Sequence, residues 1–332
     1  MTTLEDILDQ YLFRSTSTSE RGAKFERLVQ SFLKVDTQWS ALFDEVWTWT
    51  QWPDHQGHDT GIDLVARERD TGHLVAVQCK FYDPNTTIQK QHIDSFLSES
   101  GKHPFTGRLV VTTTDKWGPN AEHAIHAQQI PVQRIGLTDL LDSSIDWSQF
   151  DPAAPAALTV KARKELMAHQ RTALEKVRAG LGVADRGKLI MACGTGKTFT
   201  SLRIAEDLVP LGGSVLFMVP SIALLSQALK EWSIEAEHSL RTFAVCSDTK
   251  AGQFEEDITT VDLPIPPTTS AARLAAAAGD GKAAGRLTVV FSTYQSIDVV
   301  AQAQAQGLAG FDLVVCDEAH RHGAKVKVIL EN

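Results

Sequence analysis

The sequence predicts an α/β chain built as two units, a mixed sheet with flanking helices followed by a doubly wound parallel sheet. Three observations predict it. Between residues 19 and 135, amphipathic helical segments enclose short β-rich runs. From residue 163 onward, helices alternate with apolar strand candidates. Between the two patterns, WSQFDPAAPAALTV (147–160) holds two prolines and clustered alanines without periodicity, which marks a boundary. The expected division is 1–150, a linker over 151–165, and a second unit over 166–332.

The elements follow in order. The N-terminus, MTTLEDILDQYLF, is acidic and amphipathic and lacks the basic start and long apolar core of a secretion signal. Residues 19–34 place Phe25, Leu28, Val29, Phe32 and Leu33 on one helical face. Strands are expected at 45–50, 62–67 and 73–80, then a helix near 88–99. A strand at 108–113, a helix near 118–128 and a strand at 131–135 complete the first unit. In the second, strand candidates lie at 187–192, 214–219, 241–246, 287–292 and 311–316. A Pro-, Thr- and Ala-rich insertion (251–285) interrupts them, and its length implies a functional excursion or partial disorder.

Composition narrows the classes. A chain of 332 residues can bury two cores, and 43% hydrophobic with 22% charged residues argues against a disordered chain. No apolar run reaches the roughly 18 residues needed to span a bilayer, so the expectation is a cytoplasmic chain with no membrane partner. Cys79, Cys193, Cys246 and Cys316 form no C-x-x-C pair, which argues against a zinc site or a disulfide framework. Residues 1–150 hold 13 Lys and Arg against 21 Asp and Glu, so most of the net charge of −9 sits there. Nucleic-acid affinity rests on neutralising phosphates, so this half alone would grip DNA weakly.

In the second unit, KLIMA runs into CGTGKT and then into FTSLRIAEDL, a strand–turn–helix order. Gly194 and Gly196 in a tight turn let backbone N–H groups face phosphate oxygens, with Thr195 between them. Lys197 would reach the β- and γ-phosphates and Thr198 would ligate Mg²⁺. Downstream, FDLVVCDEAH is an apolar strand ending in two acids. Asp317 would hold magnesium through water, Glu318 would polarise the attacking water, and His320 closes the motif. The cofactors expected are ATP and Mg²⁺. The segment resembles the first RecA-like lobe of superfamily 2 DEAH helicases and translocases, in which Met at position 191 in place of the usual P-loop glycine is typical. The resemblance implies that Gln170 reads adenine, and that MVPSIALLSQ and VVFSTYQSI track nucleic acid through Ser221, Thr293 and Tyr294.

The first unit carries GIDLVA (61–66) and VAVQCK (75–80). Strand alternation puts Gln78 and Lys80 on one face, roughly 6.6 Å apart, with Asp63 in register across a hairpin. An acid and a polar oxygen can hold a hard cation such as Mg²⁺, and a neighbouring lysine can orient water and offset charge on phosphorus. Glu26, beside the apolar stripe of the first long helix, could close the site. The elements FE (25–26), D-x-G-I-D (59–63) and Q-x-K (78–80) resemble the Mrr branch of PD-(D/E)XK nucleases, where Gln in place of the commoner acid is usual.

A Mrr-like nuclease ahead of a superfamily 2 ATPase resembles the N-terminal part of type ISP restriction–modification enzymes. That resemblance implies Mg²⁺-dependent cleavage of double-stranded DNA coupled to ATP-driven translocation. It also implies a second RecA-like lobe, an adenine methyltransferase and a target-recognition domain further on, whereas this chain reads HGAKVKVILEN after DEAHR and stops. The expectation is a truncated or frameshifted frame that binds nucleotide without motor turnover. A nucleotide- and DNA-binding remnant, or a repair helicase with an accessory nuclease, are the alternatives.

Overall fold

The β-rich runs and the apolar runs separate into two sheets, one in each of two compact units, Met1–Ala162 and Arg163–Asn332. The computed structural model describes residues 3–55, 57, 61–126, 128–151, 157–247, 259–279 and 285–318. Among them, no helix is long and apolar enough to cross a membrane.

The first unit opens with α1 (Leu4–Arg14), capped by Thr3, and α2 (Thr18–Val35), capped by Ser17. The predicted stripe of α2 is the buried one, with Phe25, Leu28, Val29 and Leu33 fully out of solvent. α3 (Thr37–Leu42) leads into β1 (Phe43–Thr48), β2 (Leu64–Glu68) and β3 (Leu74–Lys80). α4 (Asp94–Glu99), β4 (Phe105–Thr112), α5 (Pro119–His126), β5 (Val132–Ile135) and α6 (Leu137–Leu141) follow. The strands lie in the order β1-β2-β3-β4-β5. β1–β2 and β2–β3 are antiparallel and the other two pairs parallel, so the sheet is mixed.

Two expectations shift here. The helix expected near 88–99 is confined to α4, because Ile88 is drawn into extended pairing: its N–H donates to the Lys116 carbonyl and its own carbonyl accepts from Gly118. The stretch 147–160 supplies Trp147, Phe150 and Leu158 to the first core. These are isolated apolar anchors, which a search for periodicity passes over. Asp36 also ties this end of the unit down. Its Oδ1 accepts the N–H groups of Gln38 and Trp39, and its Oδ2 accepts the Ser144 N–H at 3.0 Å and hydroxyl at 2.7 Å.

The second unit contains α7 (Ala168–Leu181), α8 (Lys197–Leu208), β6 (Ser214–Val219) and α9 (Ile222–Glu235). β7 (Leu240–Val245), α10 (Ala271–Gly279), β8 (Leu287–Thr293), α11 (Ile297–Ala305) and β9 (Leu313–Cys316) complete it. The sheet is parallel throughout, in the order β7-β8-β6-β9. In β6 and β8, odd positions face one side, where Phe217 and Phe291 pack edge-on and tilted around Trp232 of α9. Even positions face the other, where Leu216, Met218 and Val290 meet Leu274 of α10 and Val300 of α11. Burial on both faces is why these strands read as unbroken apolar runs. Of the 251–285 insertion, the described part is folded, with Val261, Leu263 and Ile265 buried.

One expected strand does not form. Residues 187–192 belong to no strand, with Leu189 41% and Ile190 80% exposed. Among the described residues β9 pairs only with β6, and 187–192 takes no place beside its other flank. An apolar run becomes a strand only where a neighbour supplies the hydrogen bonds.

Candidate functional site

Each unit carries one candidate site. In the first, the register Leu64↔Val77 continues so that Asp63, just before β2, lies against Gln78. The Asp63 N–H donates to the Val77 carbonyl at 2.9 Å, and the Asp63 carboxylate accepts the Cys79 N–H at 2.6 Å. The carboxylate is thus held by backbone on the edge of β3. Gln78 is fully buried. Its Nε2 donates to the Gly61 carbonyl at 3.2 Å, while its Oε1 has no hydrogen-bond partner among the described residues. A buried, orphaned amide oxygen is costly, and beside an anchored carboxylate it is a donor suited to a hard cation. Gly61 makes the approach possible: its φ is +76°, and a Cβ there would come within 3.2 Å of Ser95 Oγ.

Lys80 is half-exposed at the end of β3, on the same face as Gln78 by alternation. Its carbonyl accepts the Thr113 N–H, and Thr113 also bonds the Tyr82 N–H and carbonyl, which fixes the chain leaving the site. Glu26 reaches the same stretch from α2. Burial first, then the charges of Asp63 and Glu26, push the Cys79 thiol well up, with Lys80 opposing. Cys79 packs against the core on the α2 side, and the charges of Asp63, Glu26 and Lys80 are all felt at its thiol. Among the described residues no three His, Cys, Asp or Glu side chains gather as a metal cluster, so a cation here would rest on the amide oxygen as well as on acids. Asp59 of the D-x-G-I-D element lies outside the described residues.

In the second unit, Gly194 and Gly196 both take the left-handed backbone, with φ of +74° and +76°, and Gly196 is the cap from which α8 starts. Lys197 and Thr198 form the first turn of that helix, where unsatisfied N–H groups collect. The Thr195 carbonyl accepts from Gln170 Nε2 at 3.0 Å, while Gln170 Oε1 accepts the Met167 N–H at 2.9 Å. Gln170 is therefore buried against the glycine loop, and a Cβ on Gly196 would stand 2.6 Å from its Nε2. The resemblance gives Gln170 to adenine; in this structure its amide bridges Met167 and the glycine loop.

Lys197 Nζ donates to Glu318 Oε1 at 3.0 Å. That bond raises the Lys197 pKa, and burial raises that of Asp317. Glu318 has a φ of +51°, the single non-glycine residue with positive φ among the described residues. Its N–H donates to Asp317 Oδ1. His320 lies outside the described residues. Of the three residues expected to touch nucleic acid, Ser221 caps α9 through the Leu224 N–H. Thr293 is buried with its hydroxyl on Ser296, and Tyr294 donates its hydroxyl to the Asp317 carbonyl at 2.8 Å.

Comparison with known proteins accords with both units. The family profile described as "Restriction endonuclease" matches residues 34–157. The profile described as "Type III restriction enzyme, res subunit" matches residues 163–332, just over half the chain. No curated protein matches. Among solved structures, the ATP-dependent type ISP restriction-modification enzyme LlaBIII bound to DNA superposes with a TM-score of 0.82 at 38% identity. That match covers 97% of this chain and 20% of LlaBIII. A nuclease-deletion mutant of the type ISP enzyme LlaGI, in complex with a DNA substrate mimic, matches at 43% identity and a TM-score of 0.40. There the match covers 47% of this chain and 15% of that one. The chain thus spans about a fifth or less of the length of these structures.

Proposed function

This chain belongs to the type III restriction enzyme res-subunit family and carries a restriction endonuclease domain ahead of that region, and on this premise we propose that it forms the DNA-cutting and ATP-using part of a type ISP-like restriction enzyme. The observation that carries the reading is the Asp63–Gln78 pair, an anchored carboxylate beside a buried oxygen without a partner, with Lys80 on the same face.

In the first unit, Asp63 and Gln78 would hold magnesium, and in the second Thr198 and Asp317 would do so. Magnesium, when bound, supplies a Lewis acid that polarises a phosphoryl oxygen. Lys80 orients the attacking water and offsets charge on the phosphodiester. Lys197 neutralises the outer phosphates, the glycine turn presents backbone N–H groups, and Glu318 polarises the water. Lys197 must leave Glu318 before it can do this.

The test is nicking of supercoiled double-stranded DNA with magnesium at high protein concentration. Asp63→Asn and Lys80→Ala should remove cutting, and equal cutting by parent and variants would sink the assignment. In parallel, calorimetry should show ATP binding by the parent and none by Lys197→Ala.

A further inference from the structure

We propose that Tyr294 is a positioning residue for the acid turn Asp317–Glu318 and not a nucleic-acid contact. The inference rests on the nucleotide-site reading above and goes beyond it, because the motif's resemblance gives this side chain to nucleic acid and the comparisons assign it no role.

The topology makes the contact unusual. Tyr294 follows β8 and Asp317 follows β9, and β6 lies between those strands. Two strand spacings separate them, roughly 9.6 Å. A short side chain at 294 would not cross that distance, whereas a tyrosine carries its donor to the far end of a long rigid ring. The hydroxyl donates to the Asp317 carbonyl at 2.8 Å. The next residue completes the crossing: Gln295 Nε2 donates to the Pro220 carbonyl at 3.2 Å, at the end of β6. The turn after β8 therefore grips the carbonyls that leave both β6 and β9.

Asp317 is held from two directions as a result. Its N–H donates to the Met218 carbonyl at 2.8 Å, continuing the ladder, and its carbonyl accepts from Tyr294. With both backbone groups tied, the peptide plane between Asp317 and Glu318 has little freedom. That plane carries the Glu318 N–H, which donates to Asp317 Oδ1 at 3.0 Å. It also enters the left-handed backbone at Glu318. For a non-glycine residue this conformation persists only when its surroundings enforce it. Tyr294 is one of those surroundings, and its loss would let the plane rotate and swing both carboxylates.

A direct contact with nucleic acid and a positioning role predict different losses. The probe is ADP, titrated calorimetrically into the 332-residue chain in magnesium and again in EDTA. The readout is the ratio of the two dissociation constants, because Asp317 acts through the metal. Tyr294→Phe removes only the hydroxyl and should reduce that ratio by about fivefold, the scale of one lost hydrogen bond. Affinity in EDTA and the melting temperature should be unchanged. Filter binding of a DNA duplex gives the second readout, which Tyr294→Phe should leave unmoved. A magnesium ratio equal to the parent's would overturn the proposal, as would a loss confined to DNA binding. If the parent itself shows no magnesium-dependent ADP binding, the nucleotide-site reading fails and this proposal falls with it.

Discussion

The ammonium of Lys197 and the carboxylate of Glu318 meet at 3.0 Å although 121 residues separate them in sequence. The same lysine is the residue expected to hold phosphate, so nucleotide and glutamate compete for one cation. The pair is partly exposed, at 34% and 18%, and partly exposed pairs contribute about 0.2–1 kcal/mol. Glu318→Gln should therefore tighten nucleotide binding by about two- to fivefold, while Lys197→Ala removes it. Calorimetric titration with ADP distinguishes the two. Weaker binding by Glu318→Gln would show that the pair does not restrain the lysine.

Gly196 offers a second test. Its φ is +76°, and a Cβ would stand 2.6 Å from Gln170 Nε2, which is itself pinned between Met167 and Thr195. Gly196→Ala should cost about 1–2 kcal/mol locally and abolish nucleotide binding. Gln170→Ala, which releases the brace without straining the backbone, should weaken binding less. Equal affinity for Gly196→Ala and parent would refute the assigned cradle.

At the first site, Asp63→Asn keeps an acceptor for the Cys79 N–H and removes the charge. The expected result is an unchanged melt and a loss of magnesium-dependent DNA nicking by about 100-fold or more. Asp63→Ala should lose nicking too, and in addition about 1–3 kcal/mol of stability, because it leaves that N–H without its acceptor. Nicking that survives in Asp63→Asn would place the catalytic acid elsewhere.

Much of this was legible from the residues, and the failures have physical causes. β6 announces itself because burial on both faces leaves no polar residue from Val215 to Val219. The stripe of α2 is equally plain. By contrast, the apolar run 189–192 forms no strand, and the sequence contains nothing about which segments pair. The direction of the Tyr294 hydroxyl depends on the strand order, which places β6 between β8 and β9, and no motif carries that order. The bond from Gln170 to Thr195, 25 residues away, is likewise not readable from its helix. The Gln78 oxygen is a middle case. Alternation gives its face, but only the packed structure shows that it has no partner.

Asp36 provides a pH test away from either site. Burial raises its carboxyl above the usual 3.8, with the bonds from Ser144, Trp39 and Gln38 opposing. A raised folded value means a contribution to stability that is complete below the unfolded value and lost as pH rises through the folded one. Asp36→Asn removes this titration and turns an amide donor toward other donors, costing about 1–3 kcal/mol. The gap between parent and variant should widen as pH falls. Six of the seven tryptophans lie in the first unit, so their fluorescence follows its unfolding. A gap independent of pH would show that Asp36 does not titrate in the folded state.

Among the described residues β9 has one open flank, which bears on how this chain behaves in concentrated solution. The opposite margin of the sheet is partly shielded, since Thr268 donates its N–H to the Ala244 carbonyl of β7. β9 reads Leu313, Val314, Val315 and Cys316, with no charge to discourage pairing, and Ile190 elsewhere in the unit is largely bare. Unpaired, uncharged strand margins recruit other extended segments. Purified preparations should therefore self-associate with rising concentration. A single lysine at Val314, Val314→Lys, should keep them dispersed, which light scattering would register without reference to either catalytic site.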